Sequence, residues 1–184
     1  MIEFLERAGM KFVYADGWSD YYDELPGGEP RGRSLLAELF DTRELGEWEG
    51  RLSRYKGMGL PLPTHEFTTL MLAKRTWDGK KKALELAGRM IGSKLRGKRL
   101  AGQGAAIQGR MLQIALREQL PIWTDAPLVD FIREGDRVAG VAVKRDGRTV
   151  SVEAREGVLM NVGGFSRNAA MRQRFQPQPS SADW

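Results

Sequence analysis

The sequence has no cysteine and a single histidine, His65. The first absence excludes disulfides, thiolate metal sites and cysteine nucleophiles. The second excludes every site built on two imidazoles, so no metal is expected unless carboxylates alone hold it. No run approaches the roughly 18 apolar residues that a membrane-spanning helix needs, and the opening MIEFLERAGM is too charged for a secretory signal. The expected compartment is therefore the cytoplasm. Disorder does not suit a chain with 41% hydrophobic and 29% charged residues, and 184 residues are enough for one domain or two small ones with a real core.

What is present is unevenly spread. The formal net charge is +5, yet residues 74–99 carry ten Lys and Arg against Asp78 and Glu85, a local +8, so the remainder sums to −3. Such a segment binds nucleic acid or an anionic membrane surface, or is the solvated face of a helix, which needs no partner. The solvated face is the expectation. Nucleic acid is not expected, because the aromatic residues near Trp18 do not interleave with the basic segment as a nucleic-acid groove requires.

Along the chain, IEFLERAG reads as an amphipathic helix stopped by Gly9, and MKFVYA as a short strand. DGWSDYYDELPGGEPRGRS is a turn-rich loop of a length that is usually functional or disordered. SLLAELF reads as a strand. HEFTTLMLAKRTW, with Thr64 as its cap, and KKKALELAGRMIGSKL read as helices. The second places Leu84, Ala87, Ile91 and Leu95 on one stripe, which is expected to pack on its own protein or, failing that, to lie on a membrane surface. GQGAAIQGRMLQIALREQL is a helix with a glycine-rich start. The short β-branched segments from IWT to VLMNV, parted by Glu134-Gly135-Asp136 and Asp146-Gly147, predict an antiparallel meander. SRNAAMRQRF is a helix capped by Ser166, and QPQPSSADW is a loop. There is no internal repeat.

Several stretches bear on chemistry. Val158 to Val162 lack alternation, which suits a strand buried on both faces, and Gly163-Gly164 follow at its carboxyl end. Ligands bind at that end of open α/β sheets, and glycine lets a flat or phosphorylated group approach the main chain. A turn needing positive φ explains the pair equally well, and both readings stay open. Gly102-Gln103-Gly104 opens a helix whose free N–H groups suit an anion, but it is no dinucleotide fingerprint, since Ile107 stands at the third glycine position. Residues 92–99, GSKLRGKR, fall short of a phosphate-binding P-loop because Arg99 replaces the Ser or Thr. Tyr21 and Tyr22, in DYYDELPGG, set phenols among carboxylates, as a proton donor or base needs, or are plain surface-turn residues. His65 reads as an ordinary helix-start residue.

DYYDELPGG, then GRSLLAELFD with ELGEW, then GQGAAIQGRML, and finally REGVLMNVGGFSRNAAMRQRFQP, occur in an order and spacing that together resemble one family over nearly the whole chain. These stretches are similar to flavoprotein dehydrogenases of the 3-ketosteroid 1-dehydrogenase group, within the fumarate reductase and succinate dehydrogenase flavoprotein superfamily. The resemblance implies an α/β fold with α+β features. It divides the chain into residues 1–99, a helical and loop substrate-side segment with the basic helix, and residues 100–184, a partial FAD-binding domain containing the meander. The family's amino-terminal GxGxxG unit and its later catalytic domain have no counterpart here, so the resemblance implies an internal fragment from which no turnover is expected.

By the same resemblance FAD is the cofactor. Gly163 and Gly164 lie beneath it, and Gly102, Gly104 and Ala105 open a helix beside the flavin, with Ala105 where many relatives carry glutamine. Leu128 and Val129 begin a strand whose backbone meets the adenine. Tyr21 or Tyr22 is the active-site phenol, with Asp23 in place of the related stretch's proline. The implied reaction removes a proton beside a ketone and a hydride from the neighbouring carbon, leaving a carbon–carbon double bond in a small hydrophobic, steroid-like substrate. Two other functions stay open: a basic module for nucleic acid or anionic membrane, with peripheral membrane contact, and a non-catalytic remnant that folds only with a partner chain.

Overall fold

The computed structural model describes residues 1–52, 61–178 and 181. The chain folds as two compact units, Met1–Pro121 and Ile122–Trp184.

In the first unit, helix α1 (Ile2–Arg7) ends at Gly9, whose φ of +102° only glycine takes without strain. Strands β1 (Phe12–Tyr14) and β2 (Leu35–Ala37) pair antiparallel and form the base of a long hairpin. The loop expected between them is ordered by its own bonds. Gly17 N–H donates to Arg31 O (3.0 Å), Asp20 N–H to Glu29 O (3.2 Å) and the Tyr14 hydroxyl to Gly32 O (2.7 Å). Arg31 pairs with Asp16 and Arg33 with Asp20 across it. Gly32 is required there, because a Cβ would overlap the Trp18 carbonyl.

The expected single strand SLLAELF is two. β2 ends at Ala37, and β3 (Phe40–Asp41) pairs instead with the distant β4 (Leu100–Ala101), in register at Asp41↔Leu100. A 3-10 segment (Thr42–Arg51), kinked at Gly46 and capped by the Asp41 carboxylate accepting from Arg43 N–H, follows β3. Helix α4 (Gln103–Arg117) lies against it. The core is the cluster of Ala37, Phe40, Leu45 and Ala106, with Trp48, Leu112 and Leu116 partly buried around it.

Helices α2 (Thr64–Met71) and α3 (Trp77–Leu95) pack together. Thr64 is the first helical residue of α2 and Pro63 its cap, without a side-chain bond, so the expected Thr64 cap is corrected. Proline's fixed φ leads into a helix but brings no acceptor. For α3 the cap is Thr76, whose hydroxyl accepts from Gly79 N–H. The expectation that Leu84, Ala87, Ile91 and Leu95 pack on the protein is also corrected, since the buried side of α3 carries Gly79 and Leu86 and the stripe faces solvent. The turn opposite explains the choice: at Gly79 a Cβ would lie 2.4 Å from the Leu72 backbone, so only this face can close on α2.

The second unit holds the meander: β5 (Leu128–Glu134), β6 (Arg137–Arg145) and β7 (Arg148–Glu153), all antiparallel. Asp146-Gly147, both at positive φ, make the two-residue turn of the second hairpin. IWT and VLMNV, expected as strands, belong to no sheet among the described residues. A strand buried on both faces needs a hydrogen-bonding neighbour on each edge. Among the described residues none pairs with 158–162, and Leu159 is 93% exposed. Helix α5 (Ala169–Phe175) is capped by Asn168, whose side chain accepts from Met171 N–H at 3.1 Å, and not by the expected Ser166. The loop expected at 176–184 lies partly outside the described residues.

Candidate functional site

Gly163 and Gly164 border an open cleft of about 690 Å³ in the second unit, whose walls include Val162, Arg167, Asn168 and Met171. Gly163 has φ +72°, and a Cβ built on either glycine would meet nothing within 4 Å. The stretch is held from behind: Phe165 and Phe175 rings tilt against each other at 6.1 Å, tying the glycines to α5, while Asn168 N–H donates to Phe165 O. The guanidinium of Arg167 has no ion-pair partner among the described residues, so the cleft has bare main chain on one side and a free cation on another. That combination fits a flat molecule carrying phosphate, which FAD is. Arg167 and Asn168 were not singled out in the sequence. The signal for them is their place three and four residues after Gly164, just before a helix.

Leu128 and Val129 begin β5. Leu128 pairs with Val143 and Asp130 with Ala142, leaving Val129 as the extra residue of a bulge with no ladder partner. A bulge frees main-chain groups for another molecule and turns the strand end.

In the first unit the three residues of the helix opening differ. Gly102 is buried, and a Cβ there would lie 2.6 Å from Leu62 O and 3.2 Å from Leu39 Cδ2, so its lack of a side chain serves the packing of this chain. Gly104 faces open space and Ala105 is half-buried. Below them, α4 is seated by Arg110, which is buried, lies over the Phe40 ring at 5.2 Å and donates to Leu39 O at 3.2 Å.

Tyr21 and Tyr22 are 99% and 68% exposed on the hairpin, and neither phenol meets a side-chain partner among the described residues. His65 is the second residue of α2. Residues 92–99 run through the end of α3 and the turn after it. Among the described residues no group of three or more His, Cys, Asp or Glu could hold a metal ion, and no helix is long and apolar enough to cross a membrane.

Known proteins resemble this chain over its whole length. The 3-oxosteroid 1-dehydrogenase of Mycolicibacterium smegmatis is 33% identical over 194 aligned positions, which take in all of this chain and 34% of that protein. The 4-oxocyclohex-2-ene-1-carboxylate 5-dehydrogenase of Sinomonas cyclohexanicum is 27% identical over 99% of this chain and 32% of its own length. Among solved structures, the 3-ketosteroid delta1-dehydrogenase of Sterolibacterium denitrificans, in complex with 1,4-androstadiene-3,17-dione, superposes with a TM-score of 0.87 at 31% identity, over the whole of this chain and 35% of that one. The chain thus spans about a third of the length of these relatives. The family model described as an FAD binding domain matches residues 1–183, and the chain belongs to that FAD-binding family.

Proposed function

We propose that this chain forms part of the FAD site of a dehydrogenase that introduces a carbon–carbon double bond beside a ketone, acting on a small hydrophobic ketone of the steroid class. The observation that carries the reading is the open main chain at Gly163-Gly164, backed by α5 and faced by Arg167. Within it, Gly163 and Gly164 lie against the cofactor. Arg167 supplies a cation for its phosphates, and the Val129 bulge supplies main-chain groups for the adenine. Gly104 and Ala105 stand beside the flavin, and Gly102 supports them by letting α4 close on Leu62. Residues 1–99 form the substrate side and residues 100–184 the cofactor side. When bound, FAD supplies a two-electron acceptor; the protein supplies position and electrostatics. A tyrosine at 21 or 22 serves as the proton partner near the ketone. The substrate class rests on the names and the bound steroid of the relatives.

The test is titration of FAD into the purified chain, followed by flavin fluorescence, for the native sequence and for Gly164→Leu. Because nothing lies within 4 Å of a Cβ at 164, the added side chain starts into open space, and the substitution is expected to block the approach of another molecule with an unchanged circular dichroism spectrum. The expected result is FAD binding by the native chain, weakened by at least about tenfold in the variant, a loss of some 1.4 kcal/mol. Equal affinity in both would remove Gly164 from the site.

A further inference from the structure

Helix α3 is docked by one side only. Leu86 is buried, Arg89 donates two hydrogen bonds to the Glu66 carboxylate (3.0 and 3.2 Å), and Lys82 pairs with Glu66 and Glu85. On the opposite side Trp77, Leu84, Ile91 and Leu95 are 83%, 74%, 61% and 83% exposed. Their spacing of seven, seven and four puts them on one line along a helix about 27 Å long. Met71, also exposed, adjoins the Trp77 end of the line in sequence.

Cations border this line. Lys80 sits over the Trp77 ring at 4.8 Å. Lys74, Arg75, Lys81, Lys94, Arg96 and Lys98 have no ion-pair partner among the described residues. The acids on α3 are Asp78 and Glu85, and Glu85 is already paired.

We propose that this face of α3 docks on an anionic phospholipid surface, the apolar line entering the acyl boundary and the cations meeting the headgroups. Three features select this occupant. A helix with an apolar line, aromatic at one end and bordered by long cationic side chains that can reach outward, has the layout of interfacial helices. A covering polypeptide would have to bring acids of its own to match six cations, because Asp78 is the one carboxylate of α3 without an ion pair among the described residues and cations buried unmatched are costly. A nucleic acid would set its phosphates against Leu84, Ile91 and Leu95, which neither stack nor pair with it. None of the three depends on FAD.

The experiment is co-sedimentation of the full chain with vesicles of phosphatidylcholine alone and of three parts phosphatidylcholine to one part phosphatidylglycerol, at low and high salt. Binding is expected to be about tenfold tighter or more on the anionic vesicles and to weaken as salt screens the headgroups. L84E/I91E, at two exposed positions that hold no packing, is expected to abolish it with an unchanged circular dichroism spectrum. Quenching of tryptophan fluorescence by brominated acyl chains is expected in the native chain and lost in Trp77→Phe. Equal binding to neutral vesicles, or none to either, would overturn the proposal. So would a dimer in sedimentation equilibrium that L84E/I91E dissociates, or a DNA duplex bound equally by native chain and variant.

Discussion

At Gly109 a Cβ would lie 2.5 Å from Cδ1 of Phe40, a ring with no exposure at all. The ring cannot turn away, since Arg110 covers one face and the Ala37, Leu45 and Ala106 cluster surrounds it. Gly109→Val is therefore expected to cost about 2–3 kcal/mol by overpacking, read as a fall in the urea midpoint. The contrast is Gly104, on the same helix, where a Cβ meets nothing within 4 Å. Gly104→Ala is expected to be neutral or to stabilise by up to about 1 kcal/mol, because alanine is the better helix former. A drop in stability for Gly104→Ala would show that the opening of α4 is held by something other than the packing described. In the sequence these two glycines look alike, and so do Gly102 and Gly164. What separates them is which distant residue, Phe40, Leu62 or none, arrives beside them, and one-dimensional spacing carries no such information.

At the scale of elements, one carboxylate joins α2 to α3. Partial burial pushes Glu66 up, but the hydrogen bonds and charge of Arg89, with Lys82 and His65 adding to them, outweigh it and hold the carboxyl below the ordinary glutamate value of 4.5. Since the folded value lies below the unfolded one, the pair contributes its full stability above about pH 4.5 and loses it as pH falls through the lowered value. Glu66→Gln is expected to cost about 1–2 kcal/mol near neutrality, as charge-assisted bonds to a half-buried Arg89 are lost. It should also flatten the acid limb of a plot of thermal midpoint against pH. An acid limb unchanged in the variant would place the titrating group elsewhere. The helices themselves were legible, because apolar spacings of three and four mark α3 and α4, and Asp146-Gly147 marks a hairpin. The orientation of α3 was not. Leu86 lies on one side and Leu84, Ile91 and Leu95 on the other, so periodicity names two faces, and Gly79 with the Glu66–Arg89 pair decides between them. Ser166 lost its cap to Asn168 by two residues, a slip that side-chain type alone cannot prevent.

For the molecule as a whole, burial differs between the units. The first contains a core of Ala37, Phe40, Leu45 and Ala106, with Leu62 and Leu86 also buried; in the second, Ala139 is the one buried apolar side chain among the described residues. A three-stranded meander with little apolar burial opens readily. Amides in the centre of β6 are accordingly expected to exchange hydrogen faster than those in the centre of α4, measured by native-state exchange. The same amides report on the cofactor. A ligand that binds only the folded form adds about 2.7 kcal/mol at a hundred times its dissociation constant. Amides of the second unit that exchange only through its full opening should then slow by about a hundredfold in that excess of FAD. The apolar run 158–162 runs into the glycine pair, so an ordered cleft also restrains this exposed segment. If FAD binds yet β6 exchange is unchanged, the cofactor is held by the first unit, and Gly163 and Gly164 are turn residues whose open main chain has another cause.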